Sequence, residues 1–432
     1  MLTEVDLIRL LSTWKILLIP SYQQTSYKEA PKTERILLYM RNLISKLEIH
    51  PQNQGLWGIF NFAFFTNGLM AIMLGVLLPY IKGEQLFNYT QTGLVFSAHQ
   101  VGTLVAVLAA GALPYLIGRK LTIVMMTFGA VIGMILTVFV NGLFLFIVAF
   151  ALTGVTRGVL NNSCNVIIAE ISGNRTAAMN VLHSIWGFGA LISPVIVFLW
   201  IRLAGSYGWR LSALTVALFL TTAVIFITRG KLPPLPPKKE KGASLSFLRT
   251  LSFWIPTLLL FLYVAAETSI IGWYVIYFID AGTLPRGLAE LVSAIHWTMM
   301  TIGRISIAIL SFRIQNKNKA LFIMALSASL CFGGMLLSNS PIPNVLFLLG
   351  IGLSMAGVYP TTVATMKGST SGLSLGFTLA ISGLGAVFMP SIIGAVADIH
   401  GIAIGISLIL AVLLLMLLFT VFKIIDDRRP TK

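Results

Sequence analysis

Twelve apolar runs divide most of this 432-residue chain, and each is long enough to cross roughly 30 Å of hydrocarbon. They lie near 57–81, 92–116, 121–141, 144–168, 179–202, 209–228, 253–279, 287–310, 320–338, 343–366, 372–397 and 401–422. In lipid a spanning segment must satisfy its own backbone polar groups, so runs of this length are helical. Only 10% of the residues are charged and 57% are apolar, whereas an ordinary soluble protein is about 25% charged. A water-soluble core cannot hide that much apolar surface. The predicted fold class is an all-α polytopic membrane protein with twelve transmembrane helices.

The net charge of +16 would suggest nucleic acid in a soluble protein. Here the bases instead set the orientation. With both termini in the cytoplasm, 24 of the 30 Lys and Arg fall in inside segments and 4 in outside loops, with Arg157 and Arg304 inside spans. That asymmetry follows the positive-inside rule, so no nucleic-acid partner is expected and the chain is assigned to the plasma (inner) membrane. Cys164 and Cys331 fall within apolar runs and read as free thiols, with no disulfide framework or metal site.

The domain reading is an N-terminal arm (1–55), a first bundle (56–228), a Pro/Lys-rich linker (229–252), a second bundle (253–422) and a tail (423–432). The arm carries no secretory signal, because the apolar stretch at Ile16–Ile19 is too short. Its Ile36, Met40, Leu43 and Leu47 share a helical face opposite Arg41 and Lys46, the pattern of a basic helix lying on a membrane surface. The linker contains KLPPLPPKKEKG, which is extended and wet.

An internal match shows duplication. Ile185–Ile196 and Ile381–Ile392 agree at six of twelve positions, at an offset of 196. The shared core is Gly-x-Gly-Ala-x-x-x-Pro: Gly187, Gly189, Ala190 and Pro194 against Gly383, Gly385, Ala386 and Pro390. The same offset lays Trp57 on Phe253, the starts of spans 1 and 7. It also lays the Gly118-Arg119-Lys120 loop on Ile314-Gln315-Asn316. Two pseudo-symmetric six-helix bundles follow, with glycines allowing close helix approach.

The stretch from Gly111 through Leu113, Tyr115 and Gly118 to Arg119 and Lys120 resembles the major facilitator superfamily signature Gly-x-Leu-x-Asp-Arg-x-Gly-Arg-Lys. Five of its seven specified positions match, with Tyr115 and Leu116 as departures. The resemblance extends over about 55–422. Within the superfamily, Asn165–Pro194, Tyr263–Trp273 and Gly303-Arg304 resemble the fucose permease-like group of sugar/proton symporters. It implies a major facilitator fold in which spans 1, 4, 7 and 10 line a central cavity, and a latch that here lacks its acid. That group's usual acids in spans 1 and 4 are replaced by Gly75 and Asn161.

Substrate in such a fold binds near the bilayer midplane, between the halves. Ionisable side chains at that depth are costly toward lipid and should face inward. Arg157, Asn161 and Asn165 stack on one face of span 4 at steps of four, offering donors for a hydroxyl-rich or anionic ligand. Glu267 in span 7, beside Tyr263 and near Tyr274, is the one acid near the centre. It either exchanges protons or pairs permanently with Arg157 or Arg304. Asn61, Asn67, Tyr359, Thr361, Thr362, Trp273 and Trp297 complete the cavity candidates, of which Asn67, Tyr263, Tyr359 and Trp297 are taken forward with the span 4 stripe. Coupling and gating are assigned to Glu267, Arg304, His296, Gly118, Arg119 and Lys120, while His99 and His183 read first as packing residues.

The expected function is a secondary active transporter that moves a small polar, sugar-like solute by alternating access, with a coupling proton or sodium ion. The alternatives are an efflux carrier for amphipathic compounds and a non-transporting receptor or scaffold. No nucleophile–base pair, metal cluster or phosphate loop appears, so no enzyme activity or cofactor is expected. The chain is expected to work as a monomer among lipids.

Overall fold

The computed structural model describes residues 47–235, 245–310, 316–366 and 372–427. The amphipathic stretch expected at 34–49 lies almost wholly outside these, as do the middle of the linker and the end of the tail. The helices are α1 (Gln54–Gln85), α2 (Tyr89–Ile117), α3 (Arg119–Phe139), α4 (Leu143–Ile171), α5 (Arg175–Ala204) and α6 (Gly208–Arg229), followed by α7 (Leu251–Ala281), α8 (Val292–Leu310), α9 (Lys317–Leu337), α10 (Pro341–Met355), α11 (Gly372–His400) and α12 (Ile402–Asp427). Among the described residues, ten stretches are long and apolar enough to cross a membrane, and one of them, Ala178–Arg229, spans most of α5 and all of α6. The 19 residues of α8 supply the twelfth crossing.

Short connections make neighbouring helices antiparallel, so the molecule has an end where α1 passes into α2 and an opposite end where α2 passes into α3. Large apolar side chains such as Leu108, Phe128, Leu218, Leu330, Leu346 and Ile404 stand exposed on the helix flanks. A soluble protein does not expose such a surface; it suits a hydrocarbon surrounding.

The packing repeats between the halves. In the first, α1 packs on α5 and α6, α2 on α4, and α3 on α4 and α6; in the second, α7 packs on α11 and α12, α8 on α10, and α9 on α10 and α12. The repeat holds to the atom. A Cβ built on Gly189 of α5 would overlap the Phe65 carbonyl and lie 3.0 Å from Leu69 N. One built on Gly385 of α11 would meet the Phe261 carbonyl and lie 3.2 Å from Ala265 N. Each partner is related to its counterpart by the same 196-residue offset. The glycines recur because the same helix crossing recurs.

Two spans are less regular than their hydropathy suggests. The apolar run at 287–310 is split: Arg286–Ala289 forms its own short turn of helix, and α8 begins only after Glu290 and Leu291. Glu290 is 4% exposed and is needed elsewhere, as described below. The run at 343–366 is also split, with α10 ending at Met355 and a second helix spanning Val358–Ala364. Pro360 has no N–H to offer the Ala356 carbonyl one turn earlier, which removes the helical bond at the break.

Near the start of the described chain, Ile49 bridges Ser172 in an antiparallel contact. Gly173 N donates to Glu48 O at 3.1 Å. Leu47 and Ile49 are buried there, pinning this segment to the connection between α4 and α5.

Candidate functional site: the cleft between the bundles

The two bundles are tied together at the α1–α2 end. Tyr80 donates to Glu290 Oε1 at 2.6 Å, and Lys82 pairs with Asp280 at 3.2 Å. The Tyr89 hydroxyl donates to the same Asp280 oxygen at 2.8 Å, while the Lys82 ammonium sits 4.2 Å from the Tyr89 ring centre. Asp398, near the end of α11, accepts from the amides of Tyr89 and Thr90, both at 2.8 Å. Asn88 already caps α2 through Gln91 N at 2.8 Å. The other bundle therefore satisfies the two first-turn donors that the cap leaves over, and places a carboxylate at the positive end of the helix.

Deeper on this side, Ser391 Oγ donates to Ser97 Oγ at 2.8 Å. These six hydrogen bonds join the bundles in this half of the molecule. Toward the middle, Trp186 and Trp297 meet edge to face across the bundles, with ring centres 5.1 Å apart.

Beyond the tryptophans the facing surfaces turn polar. Glu267 of α7 accepts from the Tyr263 hydroxyl at 2.8 Å and lies 3.8 Å from the Arg304 guanidinium of α8. Arg304 in turn sits 5.7 Å from the Trp297 ring centre. Tyr263 packs against Tyr359 with ring centres 6.0 Å apart, so one carboxylate connects α7, α8 and the short helix Val358–Ala364. From the other bundle, the Glu267 carboxylate acts on Arg157 through its charge, without a salt bridge between them among the described residues.

On α4, Arg157 donates to His99 Nε2 at 3.4 Å. The tautomer follows from the next bond out. Thr153 Oγ1 gives its single proton to Phe150 O at 2.6 Å, so the 2.9 Å contact to His99 Nδ1 requires that nitrogen to be the donor. His99 is thus neutral, with a lone pair on Nε2 aimed at Arg157. One turn further, Asn161 is exposed; the Asn165 amide donates to the Asn161 carbonyl, and Asn165 Oδ1 accepts from His183 Nε2 at 3.0 Å. Asn180, His183 and Ser184 are exposed beside them. Polar groups at this depth are costly against lipid; the Asn165–His183 contact ties α4 to α5, and the exposed Asn161, Asn180, His183 and Ser184 lie toward the α2–α3 end.

The remaining candidates fall in different places. Asn67 is 1% exposed, and its amide oxygen has no hydrogen-bond partner among the described residues; the offset makes it the counterpart of Tyr263. The Trp297 ring N–H is likewise unpartnered. His296 is buried within the second bundle against Tyr274, with ring centres 5.8 Å apart, and neither ring nitrogen has a partner among the described residues. Trp273 donates to Pro390 O at 3.2 Å near the closed end, away from the cleft. Gly118 and Lys120 flank Arg119, which begins α3, bonds Glu170 at 2.7 Å and reaches Pro233 O at 3.4 Å. These contacts link α3 and α4 to the start of the linker. Gly75, where the related group has an acid, is in no position to carry one: a Cβ there would overlap the Ile271 carbonyl.

Sequence reasoning did not single out the closed end. Its signal was the placement of scarce acids: in a chain with 14 Asp and Glu, Glu84, Asp280, Glu290 and Asp398 all sit at the α1–α2 end. His99 and His183 also hold more of the site than a packing reading gives them.

The geometry of two repeated bundles closed at one end over a charged cleft defines a class of membrane transporter. The family model of the Major Facilitator Superfamily matches residues 60–369, and the chain belongs to that superfamily. It is similar to "Glucose/galactose transporter" of Brucella abortus biovar 1 (strain 9-941), at 27% identity over 78% of this chain and 87% of that one. It is also similar to "Bypass of stop codon protein 6" of Saccharomyces cerevisiae (strain ATCC 204508 / S288c), at 22% identity over 58% of each chain. The fold resembles the crystal structure of a D-xylose-proton symporter with a TM-score of 0.67 and 12% identity, over 85% of this chain and 96% of that one. The protein is a multi-pass membrane transporter, not an enzyme.

Proposed function

We propose that this transporter carries a small polar, sugar-like solute across the plasma membrane by rocking its two bundles about the central cleft, with both termini in the cytoplasm. The observation that carries this reading is the one-sided closure: cross-bundle hydrogen bonds gather at the α1–α2 end, while the polar cluster of Arg157, Asn161, Asn165, Glu267 and Arg304 opens toward the other. In the orientation favoured by the basic residues, the open end is cytoplasmic and this is an inward-facing state. The relative named as a glucose/galactose transporter supports a sugar-like solute, and the amide and hydroxyl groups of the cleft suit one.

Coupling falls to Glu267. Its partners are Arg304 and Tyr263, so protonation would release Arg304 and leave the tyrosine as the carboxyl's main contact. No acid stands at Gly75 or Asn161, which leaves Glu267 as the proton-exchanging group in the cleft. The test is uptake into proteoliposomes from a panel of neutral and charged sugars, with and without an inward proton gradient. Wild type should accumulate solute under the gradient, and Glu267→Gln should equilibrate it without accumulation. Undiminished pH-driven accumulation by Glu267→Gln would overturn the coupling assignment; no movement of any panel solute by wild type would overturn the sugar-like substrate.

A further inference from the structure

The charges of the cleft do not balance. Glu267 is engaged by Arg304 and by the Tyr263 hydroxyl. Arg157 has no carboxylate within salt-bridge distance among the described residues, and its one hydrogen-bond partner there is neutral His99. Two guanidinium groups facing one carboxylate leave a single positive charge, and that charge belongs to Arg157.

His99 is suited to holding this cation without neutralising it. The chain from Phe150 O through Thr153 to His99 Nδ1 fixes the tautomer, so the ring presents a lone pair and no charge. It occupies one donor of a guanidinium that has five. Arg157 is half-buried, with exposed Asn161 one turn away and Asn165 beside His183 one turn beyond that. A cation half-withdrawn from water, with most of its donors free and amide groups in line beside it, is built to receive an anion with hydroxyl groups attached.

From this geometry we infer that the transported solute is a monoanionic hydroxycarboxylate, a sugar acid in place of a neutral sugar, its carboxylate on Arg157 and its hydroxyls along Asn161, Asn165 and His183. The inference rests on the solute-carrier reading above and narrows it. The planar carboxylate matches the guanidinium fork with two parallel hydrogen bonds. One negative charge restores neutrality, whereas a dianionic phosphate ester would overshoot it and a cationic amphiphile would double the imbalance.

The experiment is competition in proteoliposomes against a labelled panel of D-gluconate, D-glucuronate, D-glucose and the methyl ester of D-glucuronate, which keeps the hydroxyls and removes the charge. Wild type should prefer glucuronate or gluconate over the ester and glucose by about tenfold or more, as expected for losing a charge-assisted bidentate contact. Arg157→Gln should bring acid and ester within about twofold of each other, and Arg157→Lys should keep part of the preference because it keeps charge but not the fork. Equal competition by ester and acid in wild type overturns the inference while leaving the carrier reading intact, and this comparison needs no variant to fold. An acid preference that survives Arg157→Gln also overturns it. Transport of neither series fails both readings.

Discussion

Gly75 of α1 and Ile271 of α7 are equivalent positions in the two halves, 196 residues apart, and they touch each other. A self-matched contact of this kind lies on the axis relating the bundles, as in an isologous interface. It brings two helix backbones together where a Cβ on residue 75 would overlap the Ile271 carbonyl. Gly75→Leu should therefore prevent closure at the α1–α2 end. Overpacking costs about 1–3 kcal/mol, which is roughly a 5- to 150-fold shift in the balance of open and closed forms. A cysteine placed at Ser97, behind this contact, should become labelled by a membrane-impermeant maleimide from that side. Unchanged labelling would mean the crossing does not control access.

The repeated glycines predict matched losses. Gly189→Ala and Gly385→Ala should each lower stability by about 1–3 kcal/mol, since each adds a Cβ against a backbone carbonyl. Thermal unfolding in detergent measures both. A large effect at one position with none at its counterpart would contradict the equivalence of the two crossings.

Asp398 holds the first turn of α2 from across the bundle interface. Asp398→Asn keeps the size but gives up the negative charge at the helix N-terminus. Because Asp398 is exposed, the loss should be only about 1 kcal/mol, enough to move the closed end several-fold toward opening. Distance measurement between spin labels on the α1–α2 ends of α2 and α11 reports it, and an unchanged distribution would show the cap to be incidental.

Glu267 and Arg304 should behave as a pair. Arg304 is 40% exposed, which places the interaction below the range of a fully buried pair, at about 1 kcal/mol. A double-mutant cycle with Glu267→Gln and Arg304→Gln, read by chemical unfolding in detergent, should give that coupling, with the double variant more stable than the sum of the single losses implies. Strict additivity would mean that the 3.8 Å approach contributes nothing.

The number of helices and the duplication were legible because both are written locally, in apolar run length and in glycines that recur wherever a crossing recurs. The span 4 stripe was legible for the same reason, since steps of four place Arg157, Asn161 and Asn165 on one face. The closed end was not, because its partners lie far apart in the chain: Tyr80 and Glu290 are separated by 210 residues, and Tyr89 and Asp398 by 309. Hydropathy does not encode which surface acid meets which base. Glu267 stood between these cases. Its depth was evident, but two arginines could have been its partner, and only the packing of α7 on α8 selects Arg304. The breaks before α8 and after α10 were hidden because a run remains apolar whether or not its backbone bonds are continuous.

The break in the tenth crossing changes what Glu267 is connected to. Glu267 touches Tyr263, and Tyr263 touches Tyr359, the second residue of the seven-residue helix Val358–Ala364. Ala356 and Gly357 disconnect that helix from the rigid rod above it. One carboxylate is thereby linked through two tyrosine rings to a short helix set apart from the longer one by a two-residue turn, so a change at Glu267 has a packed path into the broken tenth crossing.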